Sequence, residues 1–329
     1  MDFRIFTDSA SDLTPKLIKE LDVSVLELKT TLTQPDGTVI DGLTMSYTDF
    51  YNALRAKCTA VTAAYSVGEV IEFVEPTLAA GTDVLFLAFS SGLSASCNAA
   101  KIAAEDLSQK YPDRKFYVVD TLCASLGEGL LVFHTVKYAR AGHTIDETRE
   151  YAERTRYNLC HWFTVDDLFH LKRGGRISGA TALLGTMLNI RPVLHVDDDG
   201  HLINMEKAKG RKNSMRALLE HMKNSAILPE EQTVFICQGD CIEDAEELAD
   251  WVRETFGIKR VEIGYTGRVI GSHSGPGTLA LFFLGKDREL SGDGILARAQ
   301  QAVSAQIEAL RERERDGHLS PIPGSGSRI

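Results

Sequence analysis

The chain of 329 residues lacks any apolar run near the roughly 20 residues that cross a bilayer, and its longest such stretches, Val84 to Phe89 and Leu279 to Leu284, suit strands instead. Cysteines are few: Cys58, Cys97, Cys123, Cys160, Cys237 and Cys241, of which only the last two lie near each other. That spacing opposes a zinc site and reads as reduced, buried thiols; no metal is expected. Positive charge is also short. A net charge of -10 and a pI near 5.4 make the chain's own field repel nucleic acid and anionic membrane surfaces. Met1 to Ser11 has neither a basic start nor a sustained apolar run, so no export signal is expected and the chain reads as cytoplasmic. The Walker loop, the dinucleotide GxGxxG pattern and the GxSxG elbow have no match at the polar strand ends discussed below.

What is present is apolar content of 43%, enough for a large core, in a length that suggests two domains. Phe3 to Phe6, Val23 to Leu28, Val84 to Phe89 and Phe116 to Val119 read as strands. Helical spacing fills Phe50 to Lys57, Gly68 to Ala79, Ala95 to Tyr111 and Ala124 to Ala141 between them. The alternation predicts an α/β fold whose first domain, 1–156, is an open parallel sheet. Around Gln34-Pro35-Asp36-Gly37 the Thr-rich sequence predicts a small β-hairpin, a flap inserted at about 29–57.

The order changes after the helical stretch Thr144 to Arg156. Strand-like Trp162 to Val165 and Ile190 to Val196 flank the glycine-rich Lys172 to Leu184. A helix over Lys212 to Lys223, a strand Thr233 to Cys237, a helix Asp244 to Phe256 and a strand Arg260 to Gly264 follow. This predicts an α+β sandwich as a second domain, 157–286. Residues 287–329 read as a helical tail, Ile295 to Asp316, with a disordered, proline-containing end.

Some segments carry chemistry. Phe6 to Leu13 follows the first strand with short polar side chains that cap a helix or line a crevice, Asp8 and Ser9 foremost. Val61 to Ser66 reads as a small-residue turn into the next helix, with Thr62 or Ser66 as its N-cap, or with the Thr62 hydroxyl and the helix N–H groups binding an anion. Ser90, Ser91, Ser94 and Ser96 cluster where an apolar strand gives way to a helix, a place that attracts carboxylates and phosphates. Leu168 to Ser178 is basic and glycine-rich in an acidic chain: either an ordinary helix C-terminus or a site for an anion or acidic partner. Gly267 to Gly277 surrounds His273 with glycines and a proline, predicting irregular backbone around an imidazole able to bond a carboxylate. A hydrolase with Ser91 or Ser94 as nucleophile, His273 as base and Asp8 as orienter is an alternative on residue types alone.

Taken in order, FTDSASDL, Asp41-Gly42, FSSGLSAS, LKRGGRIS with LLGTMLNIRPVL, and IGSHSGPG resemble the DegV family over about residues 3 to 285. The resemblance implies two α/β domains with a fatty acid between them, in proteins that serve as acyl-binding subunits of bacterial fatty-acid kinases. It implies that Thr62 and Ser94 hold the carboxylate with Ser91 and His273 close by, and that Arg173 and His273 matter for phosphoryl transfer by the partner kinase. The ligand would be a long-chain fatty acid, or another apolar carboxylate, with no cofactor and no catalysis by the chain itself. The family's Thr-Ser-Gln-Pro-Ser is replaced by Thr62-Ala63-Ala64-Tyr65-Ser66, which puts a bulky Tyr65 at the expected pocket mouth or kinase-facing surface.

Overall fold

The computed structural model describes residues 1–177, 189–286 and 288. Ser178 to Leu184 of the glycine-rich stretch and the expected helical tail lie outside the described residues. Strand β1 (Phe3–Asp8) leads to helix α1 (Pro15–Leu21), which starts on a Thr14 cap with Pro15 in the first turn. Strands β2 (Ser24–Leu26), β3 (Lys29–Thr33) and β4 (Val39–Asp41) precede α2 (Tyr47–Arg55), capped by Ser46. After β5 (Thr59–Ala63) comes α3 (Val67–Ala79), whose start is fixed by a reciprocal Ser66–Glu69 capping box. Strand β6 (Asp83–Ala88), α4 (Ser96–Lys110), β7 (Phe116–Asp120), α5 (Leu126–Arg140) and α6 (Ile145–Thr155) complete the first half.

These elements build a four-stranded sheet, β2-β1-β6-β7, with every pair parallel. Its central strand β6 is buried along Val84 to Ala88, the continuous apolar run that a strand covered on both faces requires. The polar segments Ser9 to Asp12, Ser90 to Ser94 and Thr121 to Ser125 all leave the carboxyl ends of its strands, where open α/β sheets bind ligands. The inserted piece is a three-stranded antiparallel sheet, β4-β3-β5, one strand larger than the expected hairpin. Its β3–β4 turn matches the sequence reading, with Gly37 at φ +90 closing onto Gln34.

Strand β8 (Leu159–Thr164), α7 (Leu168–Arg173), β9 (Ile190–Val196), β10 (Leu202–Lys209) and α8 (Arg211–Ser225) open the second half. Strand β11 (Thr233–Gln238), α9 (Ile242–Phe256), β12 (Arg260–Tyr265), α10 (Arg268–Ser274) and β13 (Leu279–Leu284) follow. The six strands pair as β10-β9-β8-β13-β11-β12. Side chains alternate between its faces with period two. Trp162, Val234, Ile236 and Leu281 pack with Met215 and Leu248 of α8 and α9 in one core. Phe163, Phe235, Ala280 and Phe282 join the larger core of the first sheet and α5. Helix α5 is buried on nearly all sides, as expected of a helix packed between layers, and Gly127 lets His161 and Phe282 approach to where a Cβ would stand.

Candidate ligand cavity

A cavity of about 220 Å³ lies where these layers meet, on a scale where one water needs about 10–15 Å³. Leu28, Phe89, Leu93, Phe163, Val196 and Phe282 give it apolar walls. Thr62, Ser94, Arg176 and His273 supply a polar group within the same lining. Thr62 Oγ1 and His273 Nε2 are hydrogen-bonded at 2.8 Å. Ser94 Oγ bonds Ser96 Oγ at 2.9 Å and accepts from the Ser96 N–H at 3.2 Å. Helix α4 begins there with Ala95 in the cap position, so the cap residue offers no side-chain acceptor and Ser94 takes only the first N–H, that of Ser96; Ala95 itself lines the cavity.

Two glycine-bearing segments interlock to aim these groups. A Cβ on Gly174, just after α7, would meet His273 Nδ1 at 2.3 Å, and one on Gly275 would meet His170 Cδ2 at 2.5 Å. Arg176 donates to the carbonyls of Leu93, at 3.2 Å, and of Gly174, which ties the basic stretch to the serine-rich loop. Burial first, then the charges of Arg176 and Arg173, push the His273 imidazole down to about 4. The imidazole is therefore neutral at pH 7, in a positive field that favours an anion beside it.

The remaining predicted residues fall elsewhere. Ser91 is exposed and outside the cavity lining; its backbone N–H donates to Asp120. Arg173 is exposed at the end of α7, 3.1 Å from His170 Nδ1. Asp8 does not line a crevice: it is fully buried and accepts from the N–H groups of Ala10 and Phe89 and from the Tyr65 hydroxyl. Burial raises its carboxyl to about 6 against those stabilising bonds. Ser9 accepts from the Leu28 N–H and borders a separate, polar cavity of about 90 Å³ with Asp12, Glu27, Tyr47 and Arg268. Tyr65 is not at the mouth; it is buried and packs edge-on against Phe86. No hydrogen bond joins His273 to Ser91, Ser94 or Asp8, so the hydrolase constellation is not assembled.

Two local readings are corrected. Thr62 is no helix cap: it sits in β5 opposite Thr30, and Ser66 caps α3. His273 is not in irregular backbone but in α10, where Gly271 is needed because a Cβ would stand 2.5 Å from the Tyr51 hydroxyl. Arg176 was not singled out beforehand, although the local positive charge against an acidic background was its signal. Ser125 and His161, also in the lining, carry no comparable sequence signature.

The model of the DegV family, described as an uncharacterised protein family, matches residues 2–286. A DegV domain-containing protein of Clostridium perfringens is 45% identical over 290 residues, 87% of this chain and 99% of that one. A Thermus thermophilus DegV family protein, solved for its fatty acid binding, is 27% identical with a TM-score of 0.75, covering 87% of this chain and 100% of its own. A Thermotoga maritima protein whose structure reveals fatty acid binding function is 26% identical with a TM-score of 0.72, covering 86% of this chain and 98% of its own. With its fold and nearly its whole described length matched, the chain belongs to the DegV family.

Proposed function

We propose that this protein binds one long-chain fatty acid in the cavity and presents its carboxylate to a partner kinase for acyl-phosphate formation, in the cytoplasm and without a nucleotide site of its own. The observation that carries the reading is the pairing of Thr62 with a neutral His273 in the lining of a mostly apolar cavity. The hydroxyls of Thr62 and Ser94 and the start of α4, whose cap residue Ala95 offers no side-chain acceptor, offset the cost of taking a carboxylate out of water. The alkyl chain then contributes about 0.8 kcal/mol per buried CH₂. Residues 1–156 and 157–286 are taken as two domains holding the acid between them. Among the described residues no helix is long and apolar enough to cross a membrane, which suits a carrier working in water.

Native mass spectrometry of the purified protein, followed by solvent extraction, tests this directly. A stoichiometric acid of about 14 to 18 carbons is the expected release, its affinity coming from the buried CH₂ groups. An empty protein that also fails to take up added palmitic or oleic acid would sink the reading. A different apolar carboxylate, such as an isoprenoid acid, would keep the carrier and remove the fatty acid.

A further inference from the structure

Apart from the Thr62–His273 pair, part of the cavity wall is polar where an alkyl chain has nothing to offer it. Ser125, Cys237 and Thr266 line it and are 4%, 1% and 0% exposed. The Ser125 hydroxyl donates to Asp12 Oδ2 and lies 3.2 Å from Cys237 Sγ, which accepts from Thr266 Oγ1 at 3.1 Å. The hydroxyl protons are thus directed at protein acceptors. The buried Cys237 thiol has a single proton for either of them, so among the described residues Ser125 Oγ and Thr266 Oγ1 each keep at least one lone pair without a donor in the cavity lining.

Two further observations point the same way. Ser125 holds φ 55, ψ -150, costly for a residue with a Cβ, directly before α5, yet its side chain makes no capping bond there. The strained backbone serves the Asp12 contact and the cavity instead of the helix end. Ser274, 4% exposed, lines the same cavity and its Oγ has no hydrogen-bond partner. A buried hydroxyl left in that state marks a missing partner.

We propose that this wall is a subsite for a hydrogen-bond donor carried within the acyl chain, so that the preferred ligands include fatty acids bearing an in-chain hydroxyl. The inference rests on the fatty-acid reading of the cavity. A hydroxyl placed against the apolar walls loses its water without replacement. Placed opposite Ser125 or Thr266 it finds an acceptor, and those oxygens find a donor. Recognition of this kind selects the carbon that carries the hydroxyl.

The delipidated full-length protein is titrated with a fluorescent C18 polyene acid, then displaced by stearic acid and by monohydroxystearic acids substituted at successive carbons. The expected profile peaks at one or two neighbouring carbons, about tenfold above the positions on either side, the size of one net hydrogen bond. In Ser125→Ala and Thr266→Val the ratio of that peak to stearic acid falls towards one. Stearic-acid binding with a flat or steadily declining profile overturns the subsite alone, as does a peak that survives both substitutions. Failure of every acid to bind overturns the fatty-acid reading and the subsite with it. Should Ser125→Ala not fold, the wild-type profile and Thr266→Val still decide.

Discussion

On the proposed function, Thr62 is the residue on which the head group would most depend, because its hydroxyl is bonded to His273 and it is held in strand β5 opposite Thr30. Thr62→Ala is expected to weaken fatty-acid binding by about 1–3 kcal/mol, the cost of a carboxylate short of one donor. Isothermal titration with palmitic acid reads this, and unchanged affinity would remove Thr62 from the head-group site. Asp8 sets a different residue-scale test. Burial raises its carboxyl from the ordinary 3.8 to about 6 in the folded protein, so the folded state holds the proton more tightly. Its favourable share of stability is full below about pH 4 and is lost as pH rises to about 6, a span worth roughly 3 kcal/mol. Asp8→Asn should therefore gain on the wild type by that order between pH 4 and pH 7 in urea melts, whatever constant cost the lost acceptor imposes. A stability difference independent of pH would mean that Asp8 is not buried as described.

At the scale of elements, the interlock of α7 with α10 makes a steric prediction. Gly174 has ordinary helical backbone, φ -72 and ψ -11, so alanine meets no conformational penalty there. Its Cβ would nevertheless stand 2.3 Å from His273 Nδ1. Gly174→Ala should push the imidazole off Thr62 and lower fatty-acid affinity about tenfold, the loss of one hydrogen bond, with little change in melting temperature. Equal binding by the variant would mean that the imidazole position is not critical. The same interlock explains what sequence reasoning reached and what it missed. Capping residues and apolar runs made α3, α4, α5 and β6 legible, because Ser66, the Val84 to Phe89 run and helical spacing act locally. Strand β5 was hidden because Thr62 is held by pairing with Thr30 on β3, a contact remote in sequence from its small-residue neighbours. Helix α10 was hidden because its glycines read as breakers, whereas Gly271 answers to the bulk of Tyr51 from another element. Ser94 and His273, both in the cavity lining, were legible as candidates, but the burial of Asp8 and Tyr65 depends on how loops at the ends of β1 and β6 close together.

For the molecule as a whole, the proposed function raises the question of how an acidic protein would hand a buried carboxylate to another protein. The chain carries a net charge of -10, yet Lys172 and Arg173 are exposed at the end of α7, one glycine away from the contact with His273. Arg176, three residues on from Arg173, is instead turned inward onto Leu93 and Gly174 and lines the cavity. On the proposed function, the two arginines would divide presentation from binding. Arg173→Ala should leave fatty-acid affinity within about twofold, as surface changes do, and reduce acyl-phosphate formation by the partner kinase by at least about tenfold, the scale of one lost charge contact. Arg176→Ala should weaken the fatty acid itself, since it removes both the loop tether and a positive charge beside the carboxylate. Because an exposed contact is screened by salt while a buried one is not, raising ionic strength should mimic Arg173→Ala far more than Arg176→Ala. Parallel measurements of binding and phosphorylation on the two variants decide it. If Arg173→Ala releases the lipid, the exposed arginine belongs to the head-group site; if neither variant affects phosphorylation, the kinase approaches from another face.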